Sequence, residues 1–423
     1  MEDQRSDASH LDFHGHAVMS AHLARRVVYL DNAATSFPKP PQVYERLRSY
    51  LEEFGGCPGR GSYEMVRQVE ALVNETRQLL AELFHVDEPH RIVFTLNATD
   101  ALNMAIKGTL VPGDHVVTTV LEHNSVARPL NALECCGLIR VTRVGASASG
   151  LVDPEEIRRA ITGRTKLVAI IHGSNAIGSL QPIMEIGRIV RAQERLFLVD
   201  ASQTAGAVPL DVEASAVDLL AFPGHKALLG LPGTGGLYVG PRADLRPWRE
   251  GGTGVLSEEP LQPSALPFRL EAGSPNTLGL AGLREALWFI REQGVRRIRA
   301  HELSLIGRLL EALAGDERFT IYGPVALEGR VAVLSIAIAG WTPERLGAFL
   351  NNHYRIAVRA GLHCAPGAHR AMGTFPAGTV RISPGCFTTE EDIARCLEAL
   401  KEAAQATLPT GEPARTLLEV KAA

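Results

Sequence analysis

The chain has 423 residues, 45% hydrophobic and 21% charged, and its 43 Lys and Arg against 47 Asp and Glu leave a net charge of −4. That balance offers no basic surface to nucleic acid, so a small molecule is the expected partner, and the length suits a globular protein of two or more domains. The longest apolar run, near Val331–Ala339, is well short of the roughly 18 residues a membrane helix needs.

Met1–Arg26 is polar, holds four histidines without a firm metal spacing and has no long apolar stretch, so it reads as a flexible tail rather than a signal peptide. From Val27 to about Pro275 short β-rich runs alternate with amphipathic stretches. The expected helices are Pro41–Phe54, Tyr63–Phe84, Asp100–Ile106, Ser125–Gly137, Asp153–Ile161, Ile183–Gln193 and a short one at Arg242–Leu245. The expected strands are Arg91–Thr95, His115–Thr119, Arg140–Arg143, Leu167–His172, Leu196–Asp200, Leu219–Phe222 and Gly236–Val239. Such alternation predicts an α/β fold with a large, mostly parallel sheet covered on both faces. After Asn276 the pattern changes. A long helix over Leu280–Ala314, strands at Arg330–Ile338, Ile356–Arg359 and Thr379–Ser383, and helices at Pro343–Asn351 and Thr389–Ala404 predict a smaller α/β domain. The expected organisation is a tail (1–26), a large cofactor-binding domain (27–275), a small C-terminal domain (276–404) and a loose end (405–423), in which Thr416–Val420 could dock.

Six cysteines, Cys57, Cys135, Cys136, Cys364, Cys386 and Cys396, include no CxxC pair and suggest neither a disulfide framework nor a zinc site. A reducing, cytoplasmic compartment is expected.

Ligands of open α/β sheets bind beyond the carboxyl ends of the strands, so polar residues that follow predicted strands are the candidates. The run Leu196-Phe-Leu-Val-Asp200-Ala-Ser-Gln203 ends in an acid, and Asp218-Leu-Leu-Ala-Phe-Pro-Gly-His225-Lys226 ends in an amine beside a histidine. This pairing suits pyridoxal 5′-phosphate (PLP): a lysine holds the aldehyde as a Schiff base, and a carboxylate keeps the pyridine nitrogen protonated so that the ring accepts electrons. Thr95-Leu-Asn-Ala98-Thr99 is a strand, a turn and a helix start, whose free amides and Thr99 hydroxyl suit a phosphate. Alone it would pass for an ordinary helix cap. His123, Asn175 and Gln203 also follow strands. His123 could stack on the ring, and the two amides could reach the ring hydroxyl, although each residue alone would pass for a turn residue.

Together these runs resemble the class V, fold-type I PLP enzymes, and within them the cysteine desulfurases. The resemblance is carried by Tyr29-Leu-Asp-Asn-Ala-Ala-Thr35, Thr95-Leu-Asn-Ala-Thr99, Glu122-His-Asn124, Ser174-Asn175, Asp200-Ala-Ser-Gln203, Gly224-His-Lys226 and Glu271-Ala-Gly-Ser-Pro-Asn276. It implies Lys226 as the Schiff-base lysine, His123 as the stacking ring and Asp200 on the pyridine nitrogen. It places Asn175 and Gln203 at the ring hydroxyl, and Ala98, Thr99 and His225 at the phosphate. It also implies a homodimer in which the Ser274 loop reaches the partner subunit's cofactor.

The run Arg359-Ala-Gly-Leu-His-Cys364-Ala-Pro resembles the short active-cysteine segment of the group II, selenocysteine-lyase-like branch. Gly378-Thr-Val-Arg381-Ile-Ser383 resembles the segment carrying the family's substrate-carboxylate arginine. A guanidinium fork binds a carboxylate through two hydrogen bonds, and a thiolate can take a sulfur atom. Arg381, with Asn175 and Arg359 beside it, is therefore expected to hold the carboxylate of L-cysteine or L-selenocysteine, and Cys364 to receive the sulfur. The resemblance implies delivery to an acceptor protein for iron–sulfur or thiocofactor assembly. One departure bears on affinity: Pro223 stands where the family usually carries a phosphate-binding Ser or Thr, and it has neither hydroxyl nor N–H. The rival readings are a selenocysteine lyase, another PLP-dependent C–S lyase, aminotransferase or epimerase, and a silent scaffold for a sulfur carrier.

Overall fold

The computed structural model describes residues 27–59 and 61–405. The tail expected at 1–26, and the segment after 405 with Thr416–Val420, lie outside the described residues. Seven strands form the large sheet in the order Ile92–Thr95, Gly235–Val239, Leu219–Pro223, Leu196–Asp200, Thr165–Ile171, His115–Thr119 and Arg140–Val144. All neighbours pair in parallel except around Gly235–Val239, which runs antiparallel to both of its partners. Leu167 and Ala169 point into one apolar cluster and Val168 and Ile170 into another. Burial on both faces explains why these strands read as continuous apolar runs rather than alternating ones. The helices Ala98–Thr109 and Asn124–Cys135 cover one face. Glu64–Phe84, Ile183–Ala192 and Thr277–Gln293 cover the other.

A second sheet, antiparallel and four-stranded, has the order Arg359–Gly361, Thr379–Ile382, Leu334–Ile338, Phe319–Tyr322. Its core joins Leu305, Leu309, Leu334, Ile336, Leu346, Ile393 and Leu400. Val28 and Leu30 belong to the same core, because Val28–Tyr29 pairs in parallel with Ile356–Ala357 and Asp31 bridges to Ser383. The chain's described start is thereby tied to its end, and this brings Asp31 beside Arg381.

Several local expectations are corrected. The helix expected over Leu280–Ala314 is two helices, Thr277–Gln293 and Val295–Leu313, because Gly294 between them takes φ +80°, a left-handed turn that costs glycine little. Arg242–Leu245 is not helical. Its side chains and backbone are claimed by distant partners instead: the Arg242 guanidinium by Asp218 and the Arg195 carbonyl, and the adjoining Arg246 N–H by the Gly108 carbonyl. The run Ile356–Arg359 splits between two sheets. The strands Val28–Tyr29 and Phe319–Tyr322 and the short helix Pro366–Ala371 were not expected from the sequence. Among the described residues no helix is long and apolar enough to cross a membrane.

Candidate active site

The chain leaves His115–Thr119 for the edge strand Arg140–Val144 and returns on the other side with Thr165–Ile171. At such a divergence the connections part beyond the strand ends and leave a crevice. A cavity of about 260 Å³ opens there. It gathers Ala98, Thr99, His123, Asn175, Asp200, Gln203, His225, Lys226, Arg359, Cys364 and Arg381, which are all of the sequence-derived candidates except Ser274.

Lys226 sits in the turn after Leu219–Pro223. Gly224 is required there, since a Cβ would fall 2.1 Å from the Thr234 hydroxyl oxygen. The segment that begins at Thr35 clamps this turn. The Thr35 and Ser36 hydroxyls and the Lys39 ammonium donate to the His225 carbonyl, and Ser36 also donates to the Lys226 carbonyl at 2.8 Å. Desolvation pushes the Lys226 amine down to about 8. Arg381 and Arg359 push the same way, against the attraction of Asp200. A lysine so placed yields a free amine near neutral pH far more readily than one in water.

Asp200 ends its strand almost fully buried. One carboxylate oxygen accepts the Ser202 N–H at 2.9 Å, and Oδ2 has no protein partner. His225 Nδ1 and Asn175 Oδ1 are likewise buried without partners. Desolvation, reinforced by Lys226 and Lys39, holds the His225 imidazole down to about 4, so it is neutral. Buried polar atoms are almost always paired, so these three orphans, with Arg381 Nε as a fourth in the same cleft, mark where a polar ligand's groups fit. His123 caps the helix Asn124–Cys135, and its Nδ1 accepts the Ser125 N–H at 3.1 Å. This leaves Nε2 to carry the proton of the neutral ring, and desolvation lowers the ring's pKa. The Ser125 hydroxyl lies 2.7 Å from that of Thr99, which opens the helix Ala98–Thr109. Pro223 also lines the cleft, so no side-chain donor stands at that place.

Arg381 is buried. It donates through Nη1 to the Asn175 carbonyl at 3.0 Å and through Nη2 to Asp31 at 2.7 Å, and its Nε has no partner. Exposed Arg359 holds the other oxygen of Asp31 at 2.9 Å. Asp31 was not foreseen. Its position in the Tyr-Leu-Asp-Asn run gave no sign that it would neutralise two arginines more than three hundred residues away. Other anchors missed in the sequence, Ser36, Lys39 and Ser125, reach partners on distant segments: His225 and Lys226 for Ser36, His225 for Lys39 and Thr99 for Ser125.

Cys364 is exposed to the cleft, unlike Cys386 and Cys396. Burial raises the Cys386 thiol strongly and pushes that of Cys396 up to about 12. Its backbone lies in a turn closed by the Ala365 N–H on the Leu362 carbonyl at 2.9 Å. Both central residues are left-handed, His363 at φ +51° and Cys364 at φ +57°, which costs a non-glycine residue about 1–2 kcal/mol. Three contacts hold this turn: the Asn124 N–H on the Cys364 carbonyl (2.8 Å), the Asn175 amide on the His363 carbonyl (2.6 Å), and the His363 ring.

Ser274 is not in this cleft. It lines a separate cavity of about 540 Å³, on a loop whose Glu271 is paired with Arg77 at 2.8 Å, and its hydroxyl lies 3.6 Å from Cys57 Sγ.

A doubly wound sheet with a desolvated lysine, a buried acid, two arginines and an open thiol at its strand ends defines an enzyme that works on a small carboxylate. The family model of class-V aminotransferases matches residues 28–396. The probable cysteine desulfurase of Methanothermobacter thermautotrophicus is 35% identical, over 90% of this chain and 96% of that protein. The cysteine desulfurase IscS of Vibrio campbellii is 34% identical, over 89% and 92%. The apo structure of the cysteine desulfurase from Thermococcus onnurineus superposes with a TM-score of 0.84 at 31% identity, over 90% of this chain and 95% of that one. The structure of the Escherichia coli cysteine desulfurase CsdA in its S-sulfonic acid form does so with 0.80 at 27%, over 90% and 95%. The chain belongs to the class-V aminotransferase family, among its cysteine desulfurases, and has the α/β fold-type I architecture expected from the sequence.

Proposed function

We propose that the protein is a PLP-dependent cysteine desulfurase of the group II, selenocysteine-lyase-like kind, converting L-cysteine to L-alanine and leaving the sulfur as a persulfide on Cys364. The observation that carries the reading is that Lys226, Asp200, Arg381 and Cys364 line one cleft. When bound, PLP supplies an aldehyde that an amine can hold and a ring that draws electrons from the substrate's Cα. The buried atoms without partners fit it. Asp200 Oδ2 would hold the protonated ring nitrogen, Asn175 and Gln203 would serve the ring hydroxyl, and His225, Thr99 and the Ala98 amide would take the phosphate.

The protein's own groups do the rest. Arg381 holds the substrate carboxylate, with Asn175 beside it and Arg359 at the rim. Lys226, its pKa lowered to about 8, removes the Cα proton. His123 is the proposed proton relay for the substrate thiol, and because its Nε2 carries a proton in the resting ring it acts first as a donor. Cys364 Sγ then bonds to the substrate sulfur as the Cβ–S bond breaks. The electron pair stays with the carbon, which is protonated to alanine, and the enzyme sulfur is left oxidised as the persulfide. The Leu362–Ala365 turn is short and held at both ends, which supports the group II assignment and an acceptor protein that must come to the thiol. A homodimer placing Ser274 at the partner subunit's cofactor, and a cytoplasmic location, complete the reading. Pure protein given cysteine and a reductant should release sulfide and alanine in equal amounts. A keto acid product, or alanine without sulfide, would contradict it.

Two variants probe the binding groups. Asp200→Asn should still bind PLP but lose most turnover, because a neutral amide cannot hold the ring proton; near-parental turnover in a cofactor-loaded variant would refute the role. Arg381→Ala should raise KM for cysteine and lower kcat/KM roughly tenfold or more, since hydrogen bonds to a charged group contribute about 1.5–3 kcal/mol each. Asp31 keeps Arg359 as its partner in that variant, so folding should survive. Unchanged kinetics would transfer the carboxylate to Arg359.

A further inference from the structure

His363, next to the nucleophile, and His369, on the short helix after it, are both buried and form a chain with half-buried Thr374. His363 Nδ1 lies 3.2 Å from His369 Nε2, and His369 Nδ1 lies 2.8 Å from the Thr374 hydroxyl. The far end of the chain, His363 Nε2, faces the Arg359 carbonyl at 3.3 Å. A carbonyl only accepts, so Nε2 of His363 carries a proton. Desolvation, helped by Arg381, lowers the His363 pKa and keeps the ring neutral, so its Nδ1 is an acceptor. The donor it needs is the Nε2–H of His369, whose own Nδ1 then accepts from Thr374. This arrangement of neutral tautomers gives each ring nitrogen a partner, and the His369 ring is also hydrogen-bonded to the Leu362 carbonyl of the same turn.

The chain terminates on a turn that needs it. Two successive non-glycine residues at positive φ are disfavoured where Asn and Gly would be usual. The ring of His363 is the only side chain of the turn with a hydrogen bond into the helix Pro366–Ala371. That helix begins two residues after Cys364 and is packed on the large domain, with Gly367 so close to the Val120 carbonyl that a Cβ would lie 2.3 Å from it. His369 thus joins a fixed point of the fold to the strained turn that carries the thiol.

We propose that His369 is a positioning residue for the desulfurase reaction: acting through His363, it holds the left-handed turn that aims Cys364 into the cleft. This rests on the proposed desulfurase function. Without the Nε2–H, His363 Nδ1 becomes a buried acceptor with no donor, and the turn can relax toward ordinary backbone angles. The thiol then spends less time aligned with the substrate sulfur, while Arg381 keeps its hydrogen bonds to Asp31 and the Asn175 carbonyl and so keeps its hold on the substrate carboxylate. Misalignment of a reacting group by about 1 Å can cost up to a hundredfold.

The test compares parent, His369→Ala and His369→Gln as full-length holoenzymes, the Gln amide standing in for the Nε2–H donor. The expected result is a kcat for His369→Ala lower by roughly tenfold to a hundredfold, with KM for cysteine unchanged, and substantial recovery of kcat in His369→Gln. Hydrogen exchange by mass spectrometry supplies a readout independent of turnover: the peptide spanning Leu362–Ala365 should exchange faster in His369→Ala and return toward the parent in His369→Gln. A parental kcat and exchange pattern in His369→Ala would overturn the inference, as would a loss that appears only in KM, or a Gln variant no better than Ala. These results leave the desulfurase reading standing if the parent still forms a persulfide on Cys364. A parent that places no sulfur on Cys364 overturns that reading and this inference together.

Discussion

Replacement of Lys226 by Ala should abolish turnover and the covalent attachment of cofactor while leaving the fold intact. The lysine side chain points into a cleft that exists without it, and the turn that carries it is held by Ser36, Thr35, Lys39 and Gly224 through backbone atoms that an alanine keeps. The variant should therefore melt near the parent temperature. Two losses combine. The cofactor has no amine to hold it, and the substrate Cα has no base. Loss of a group that takes part directly in bond making can cost many orders of magnitude. Borohydride treatment of the parent followed by peptide mapping should find the pyridoxyl group on Lys226. A label on Lys39, a buried lysine whose ammonium donates to the His225 carbonyl, would overturn the assignment.

Cys364→Ser should bind PLP and cysteine as the parent does and lose sulfide release by roughly a hundredfold or more. A hydroxyl is a far poorer nucleophile toward sulfur than a thiolate. Spectral changes that need only Lys226 and the cofactor should persist on adding cysteine. The other cysteines offer no substitute within the chain, since Cys386 and Cys396 are buried with raised pKa values and neither Cys57, Cys135 nor Cys136 lines the cleft. Selenocysteine cleavage does not strictly need the protein thiol, so the ratio of activities on the two substrates in this variant also separates desulfurase from selenocysteine lyase. Parental desulfuration by Cys364→Ser would favour a plain C–S lyase.

The strands and most of the site were legible because local signals carried them. Each of Leu196–Asp200 and Leu219–Pro223 is an apolar run buried on both faces and ending in polar residues, and position at a strand end is what brings Asp200 and Lys226 together. What the sequence concealed depends on contacts between distant segments. Asp31 meets Arg381 only because the first strand pairs with Ile356–Ala357. His369 meets His363 only because a six-residue helix, too short to show a periodic pattern, follows the turn. Gly294 broke a helix that the apolar spacing carried straight through, and its left-handed backbone, not the side-chain pattern, decided the matter. Ser274 lines a cavity apart from the cleft, and its proposed role is toward the partner subunit's cofactor.

The most direct measurement is a single pulse of L-cysteine to the PLP-loaded parent without reductant, followed by peptide mass spectrometry. The account predicts one added sulfur atom, on the peptide bearing Cys364 and removed by later reduction, together with one equivalent of alanine. Sulfur on Cys57 or Cys386, or alanine formed with no sulfur on the protein, would contradict it.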